Sequence, residues 1–224
     1  MLSSLLRNGF SADALIMVLC SIPIIILALC VHESAHGLAA KWMGDPTAYN
    51  LGRISLNPVK HLDPIGTVMM FLFGFGWAKP VPINTRYFRN PKWGMAISAL
   101  AGPLSNVLCS YLFYIAFVLI NRYAFVQGKA MVTVVTALLL LCYVGYLLNL
   151  SLAVFNLIPM PPLDGSRILF VLLPTKAYFA VMKYERYIYI GVMLLVFTGM
   201  LDIPLSLVRE GITKLFELSI AWMV

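Results

Sequence analysis

The amino-acid sequence predicts an all-α polytopic membrane protein with a core of three long transmembrane helices. Hydrophobic residues make up 61% of the 224 residues and charged residues 11%, whereas about a quarter of the residues in a soluble domain are charged. The apolar residues form uncharged runs at 14–31, 95–121 and 130–162, and about 20 mainly apolar residues span a bilayer as a helix. We therefore expect one integral-membrane domain over residues 1–224, surrounded by the lipid bilayer.

Start and stop signals bound the three long helices, which are predicted at about 11–43, 90–121 and 129–157. Ser11 or Asp13 is a candidate N-cap for the first helix, and Gly44-Asp45-Pro46 provides its stop. The second helix begins at Asn90-Pro91, where a capping residue precedes proline at the first helical position. Additional C-terminal helices are expected at 164–173, 177–200 and 203–224, and the last of these has the scattered charges of an interfacial amphipathic helix.

Residues 44–92 follow a different pattern. The segments 51–57 and 77–84 are rich in Gly, Pro and Asn, which is typical of extended or turning backbone. Between them, residues 65–75 are apolar but number only about 11, too few to cross a bilayer. We therefore predict a re-entrant or β-hairpin region here.

The basic residues are distributed unequally between the two sides of this predicted topology. If 65–75 does not cross, 11 of the 16 Lys and Arg lie on one side, and the other five are Arg7, Arg122, Lys129, Arg209 and Lys214. The positive-inside tendency then places the basic side in the cytoplasm. Because the basic residues cluster between apolar runs, the net charge of +7 indicates membrane orientation and not a nucleic-acid partner.

The first helix contains the motif H-E-x-x-H at His32-Glu33-Ser34-Ala35-His36. Residues four apart share one face of a helix, so both imidazoles can bind one tetrahedral zinc ion. Glu33 is offset by one residue, where it can contact a metal-bound water without being a ligand. The alternative, two packing histidines beside an ordinary buried glutamate, is disfavoured because an unpaired carboxylate inside a membrane helix is costly.

A hydrolytic zinc site needs a third protein ligand. Position 42 is Trp42, which excludes the metzincin pattern, and His61 lies beside Lys60 and Asp63 in a loop, where we expect it to be solvated or interfacial. Asp164 follows a proline-rich turn that returns to the membrane, on the side where His36 lies near the end of its helix. The residues alone leave two interpretations of Asp164 open, a third ligand or the N-cap of the short helix that it begins.

The two motifs together, His32–His36 and N-L-I-P-M-P-P-L-D-G at Asn156–Gly165, resemble the site-2 protease family of intramembrane zinc metalloproteases. Weaker resemblance extends through 52–58, 76–84 and 102–106. The resemblance implies that His32, His36 and Asp164 bind one Zn²⁺ and that Glu33 is the general base, in a catalytic core of about 11–173. No segment resembles a PDZ domain, so this is expected to be a compact form of the family.

The second helix carries a stripe of small residues, Gly94, Ser98 and Gly102, that ends in Asn106. Such a stripe lets membrane helices approach closely, and packing explains the first three residues. The resemblance implies that Asn106 lies near the active site. Our hypothesis is that its amide stabilises the oxyanion of the reaction, which makes it a candidate catalytic residue.

The expected activity is hydrolysis of peptide bonds within transmembrane segments of single-pass membrane proteins, in the cytoplasmic leaflet of a bacterial or archaeal cell membrane. The segments 51–57 and 77–84 could pair with an unwound substrate by strand addition. A metal transporter is disfavoured because the third helix has no charge and the outer half of the first is apolar. A catalytically inactive scaffold is disfavoured because every expected catalytic residue is present.

Overall fold

The computed structural model describes residues 12–73, 76–125 and 127–223. Within these ranges the chain forms nine α-helices, which are α1 Ala12–Trp42, α2 Thr47–Asn50, α3 Pro64–Phe73, α4 Pro91–Tyr123, α5 Gly128–Asn156, α6 Asp164–Leu172, α7 Thr175–Met182, α8 Glu185–Phe197 and α9 Asp202–Ile220. Of the two predicted N-caps of the first helix, Ser11 lies outside the described residues, and Asp13 is wrong because it lies within α1. The bounds of the other long helices agree with the prediction to within two residues.

Three of these helices are long and apolar enough to cross a membrane, over Ile16–Trp42, Pro91–Tyr123 and Gly128–Asn156. The prediction of three long transmembrane helices is therefore confirmed by length and composition. α4 packs against both α1 and α5 and so forms the centre of the core. Its start is the predicted cap, because the Asn90 side chain accepts a hydrogen bond from the Trp93 N–H at 3.3 Å.

The region between α1 and α4 is held against the end of α1 by a buried carboxylate. Asp45 is fully buried, and its side chain accepts hydrogen bonds from the backbone N–H groups of Thr47 and Asn84. α3 has 10 residues, about 15 Å of helix, which is half of a hydrocarbon core of about 30 Å. It is therefore too short to cross, as the sequence predicts.

The β-hairpin predicted for the same region is not confirmed. The part of the chain that the structure describes contains no β-strand, and its backbone pairing here is one isolated antiparallel bridge between Leu62 and Ala78. Prolines explain this, because Pro80 and Pro82 lack the N–H groups that a ladder needs.

The prediction that His61 is solvated or interfacial is wrong. The side chain is 0% exposed, and its Nε2 lies 2.6 Å from the carbonyl oxygen of Ser55. The His61 carbonyl also accepts a hydrogen bond from the Lys79 N–H. His61 therefore links the segments 51–57 and 77–84 through two hydrogen bonds. It is not part of the candidate metal cluster His32, His36 and Asp164.

The C-terminal part differs from the prediction in two ways. The helix predicted at 177–200 is divided into α7 and α8 by a turn at 183–184, and α8 and α9 are bent by 81° relative to each other. α9 runs along the bundle instead of lying at the interface, because Thr213 is hydrogen-bonded to Tyr146 of α5 and Ser219 to Tyr111 of α4.

Arg209 shows the consequence of this packing. Its guanidinium donates a hydrogen bond to Ser151, five residues from the Asn156 end of α5. Arg209 therefore lies towards the side on which most basic residues are expected, and its assignment to the opposite side is wrong.

Candidate active site

His32 and His36 lie one helical turn apart on the face of α1 that contacts α4. Their rings are 4.5 Å apart between centroids, and the residues are only 4% and 7% exposed. Both imidazoles are thus removed from lipid and water. The predicted pairing of the two rings on one helix face is present in the structure.

Asp164 joins these histidines from a distant part of the chain. Its Oδ2 lies 3.1 Å from His32 Nε2 and 3.3 Å from His36 Nε2. The sequence left open whether Asp164 instead caps α6, and the structure excludes that role. The N-cap position is Leu163, and the Asp164 carboxylate is directed at the imidazoles.

Local sequence explains how Asp164 reaches this position. The chain leaves α5 in a turn of successive prolines that leads into α6. Gly165 makes the close return possible, since a Cβ there would collide with the carbonyl groups of Leu157 and Ile158. The turn and the glycine thereby bring the start of α6 back against α1.

The geometry of the three side chains fits a zinc ion. Two Nε2 atoms and one carboxylate oxygen lie within 4.8 Å of one another. Zinc bonds of about 2.0–2.2 Å place tetrahedral ligand atoms about 3.3–3.5 Å apart, close to the distances from Asp164 to the two imidazoles. Burial by itself would raise the pKa of the Asp164 carboxyl, but His32 and His36 hold that pKa well below its usual range. Zinc binds the deprotonated form of a carboxyl group, so this direction is compatible with a metal-binding role for Asp164.

The second nitrogen of each imidazole is also bonded. His32 Nδ1 lies 2.6 Å from Asn106 Oδ1, and His36 Nδ1 lies 2.6 Å from the Ser98 carbonyl oxygen. An acceptor at Nδ1 fixes the tautomer that leaves Nε2 free to bind metal. Both histidines are therefore oriented towards the point where Asp164 meets them.

Asn106 thus contacts the candidate metal site, although in a different way from our hypothesis. It is fully buried, and its amide donates to the carbonyl of Ala28 and to Asn149 Oδ1. An oxyanion role needs an amide hydrogen directed at the substrate, whereas both of these hydrogens have partners within the protein. The geometry favours an orienting role for Asn106 through His32.

Asn149 is a site residue that the sequence analysis missed. It is 2% exposed, it accepts the hydrogen bond from Asn106, and it donates to the Gly145 carbonyl one turn earlier in α5. A chain of polar contacts therefore links α5, α4 and α1. The signal that could have identified Asn149 is an amide in the middle of an otherwise apolar helix, which needs a partner.

Glu33 lies beside the metal-ligand cluster without being part of it. Its Oε2 accepts a hydrogen bond from the Val81 backbone N–H at 2.8 Å. Glu33 also lines a cavity of about 730 Å³ together with His32, His36 and Asp164. Glu33 therefore borders the same cavity as the candidate metal site.

Most of the other cavity walls are apolar. They come from α1, α3, the 77–84 segment, α4, the end of α5, α8 and α9, for example Met70, Val81, Met95, Leu152, Met193 and Leu205. Two cationic residues, Arg167 and Arg209, complete the lining. The cavity can hold an extended, largely apolar peptide segment next to the candidate metal site.

These features define a class, the membrane-embedded metalloproteases with an H-E-x-x-H motif. The chain belongs to peptidase family M50, whose family model matches residues 20–198. It is 37% identical to "Putative zinc metalloprotease YwhC" of Bacillus subtilis (strain 168) over 197 residues, which cover 86% of this chain and 89% of that protein. It is thus a zinc metalloprotease of the site-2 protease type.

Two further relatives match shorter parts. "Putative zinc metalloprotease MJ0611" of Methanocaldococcus jannaschii is 32% identical over 107 residues, 47% of this chain and 49% of that protein. "Putative zinc metalloprotease Rip2" of Mycobacterium tuberculosis is 28% identical over 146 residues, 62% of this chain and 52% of that protein. No solved structure gives a significant match.

Proposed function

We propose that this protease hydrolyses peptide bonds within the transmembrane segments of single-pass membrane proteins. The observation that carries the proposal is the position of the site on α1. His36 lies six residues and His32 ten residues before Trp42, about 9 Å and 15 Å along the helix. A bilayer core is about 30 Å thick, so both positions lie within the membrane-spanning length. A peptide bond that reaches this site is one inside the membrane.

In this proposal His32, His36 and Asp164 hold one Zn²⁺. When bound, zinc acidifies water and polarises the scissile carbonyl. Glu33 takes the proton of the attacking water and passes it to the leaving amine, since its carboxylate faces the cavity and is not engaged by the histidines. Asn106 keeps His32 in the tautomer that binds metal.

The cavity supports a substrate in extended form. A transmembrane helix has its amides hydrogen-bonded internally, so it must unwind locally before a peptide bond is accessible. The largely apolar walls accommodate the side chains of such a segment. The excess of basic residues on the side of Asp164 favours an active site in the cytoplasmic leaflet.

Glu33→Gln tests this function. The purified variant and the wild-type protein are compared for zinc content by plasma mass spectrometry and for cleavage of a co-expressed single-pass reporter. We expect zinc content to be unchanged and cleavage to fall by about 10²–10⁴-fold, the usual contribution of a general base. Glu210→Gln, at an exposed position on α9, is the matched control and is expected to retain wild-type zinc content and cleavage.

Retention of cleavage by Glu33→Gln would contradict the assigned role of Glu33 as general base. A variant that binds but does not cut also retains its substrates. Proteins recovered with Glu33→Gln from native membranes, and absent from the His32→Ala sample, would therefore identify the class of substrate.

A further inference from the structure

The extended segment 77–84 is attached to α1 and to the loop before α3 by its own backbone N–H groups. Lys79 donates to the His61 carbonyl at 2.7 Å, Val81 to Glu33 Oε2 at 2.8 Å, and Asn84 to Asp45 Oδ2 at 2.6 Å. Two of these three acceptors are carboxylates, although backbone carbonyls are the usual partners of an extended segment. The carboxylate at Val81 is the one expected to move protons.

Sequence makes the Val81 donor unusual within its segment. Pro80 and Pro82 have no N–H, so Val81 carries the only backbone donor of the tripeptide 80–82. The Val81 side chain is buried at 7% exposure. Gly37, on the turn of α1 after the motif, leaves space for it, since a Cβ at Gly37 would lie 3.3 Å from Val81 Cγ1. The backbone N–H of Val81 therefore bonds Glu33, while its side chain packs against Gly37 on the next turn of the same helix.

The hydrogen bond restricts a side chain that would otherwise be free to rotate. Glutamate has three side-chain torsions, and within the described residues the Val81 N–H donates the one hydrogen bond that the Glu33 carboxylate accepts. A hydrogen bond from a neutral donor to a carboxylate is a strong one. It engages Oε2 of a residue that also lines the cavity beside the candidate metal site.

We propose that the Val81 backbone N–H is a positioning group that orients Glu33 for proton transfer, so that 77–84 belongs to the catalytic apparatus. This inference rests on the proposed function of Glu33. It also limits strand addition by a substrate, because the donors of Lys79, Val81 and Asn84 already have partners within the protein. The opposite interpretation is that the segment blocks Glu33 until a substrate displaces it.

Val81→Pro removes the N–H and tests the two interpretations. Val81 precedes Pro82 and is therefore restricted to the extended region that proline also adopts. Val81→Ala keeps the N–H and is the reference for loss of the side chain alone. We expect the kcat of Val81→Pro to fall at least about 10-fold below that of Val81→Ala, with KM and zinc content equal in the two variants. Equal kcat values, or a higher kcat in Val81→Pro, would overturn the proposal.

A second measurement does not depend on cleavage or on the folding of the proline variant. In protein labelled with ¹⁵N-valine, the Val81 amide is assigned by its absence from the Val81→Ala spectrum. We expect this amide to exchange at least about 10-fold more slowly in wild-type protein than in Glu33→Ala. Equal exchange rates would show that the hydrogen bond does not form, and the proposal would be wrong. Loss of cleavage in Glu33→Gln together with equal exchange would leave the proposed function standing, so the two failures are distinguishable.

Discussion

Gly102 of α4 lies directly against the imidazole of His36. A Cβ at Gly102 would overlap His36 Cε1 and Nε2 and would also press on the His32 ring. The residue therefore does more than let two helices pack closely, which is the explanation that the small-residue stripe suggests. It provides the space in which the two imidazole rings are held.

Gly102→Ala is expected to displace the imidazoles from Asp164 and lower zinc affinity by about 10–100-fold, as loss of a supporting contact does at other metal sites. Zinc content after dialysis against a graded series of chelator concentrations measures this. Gly211→Ala is the matched control, because a Cβ at Gly211 meets no atom within 4 Å. Wild-type zinc affinity in Gly102→Ala would contradict the close contact.

Asn106→Leu distinguishes an orienting role from an oxyanion role. Because Asn106 bonds His32 Nδ1 and both of its hydrogens have partners in the protein, we expect zinc affinity and turnover to fall together, each by about 10–100-fold. An oxyanion donor would instead lower turnover and leave zinc content intact. Zinc titration and reporter cleavage are measured on the same samples, with Asn121→Leu at the exposed end of α4 as control.

Asp164→Asn removes the anionic ligand. Loss of a residue that only supports a metal ligand usually lowers metal affinity by about 10–100-fold. We expect a larger fall in zinc affinity here, because Asp164 Oδ2 lies near Nε2 of both His32 and His36. Asp202→Asn changes an exposed carboxyl on the wall of the same cavity and is expected to retain zinc. Equal zinc affinity in the two variants would show that Asp164 is not a ligand.

His61→Ala separates the buried histidine from the two on α1. We expect a full complement of zinc, because His61 bonds the Ser55 carbonyl and lies outside the metal cluster. Stability is expected to fall by about 1–3 kcal/mol, the usual loss when a buried hydrogen bond is broken. Denaturant unfolding in detergent measures the loss, and a zinc deficit as large as that of His36→Ala would contradict this assignment.

The sequence predicts the parts of this fold that are determined by local composition. Charge-free runs mark α1, α4 and α5, and Asn90 marks the start of α4, because capping and transfer into lipid depend on nearby residues alone. The placement of α9 could not be predicted, since it depends on hydrogen bonds such as Thr213 to Tyr146 between distant helices. The turn at 183–184 has no Gly or Pro to mark it.

The same distinction applies to the site. The spacing of His32 and His36 predicts a shared helix face, while for Asp164 the residues alone left two roles open and the family resemblance favoured one. The contact between Val81 and Glu33 could not be predicted, because a backbone N–H has no signature in the sequence. Asn149 was overlooked for a related reason, since its partner Asn106 lies 43 residues away.

The separation of Asp164 from His32, 132 residues along the chain, has a consequence for biosynthesis. A ribosome that has inserted α1, α4 and α5 holds a nascent chain with His32, Glu33 and His36 but without Asp164, the third ligand of the proposed zinc site. Such an intermediate cannot complete the zinc site while it is still threaded through the insertion machinery. In the proposed mechanism, the chain therefore acquires activity only after the turn that follows α5 has emerged and folded back.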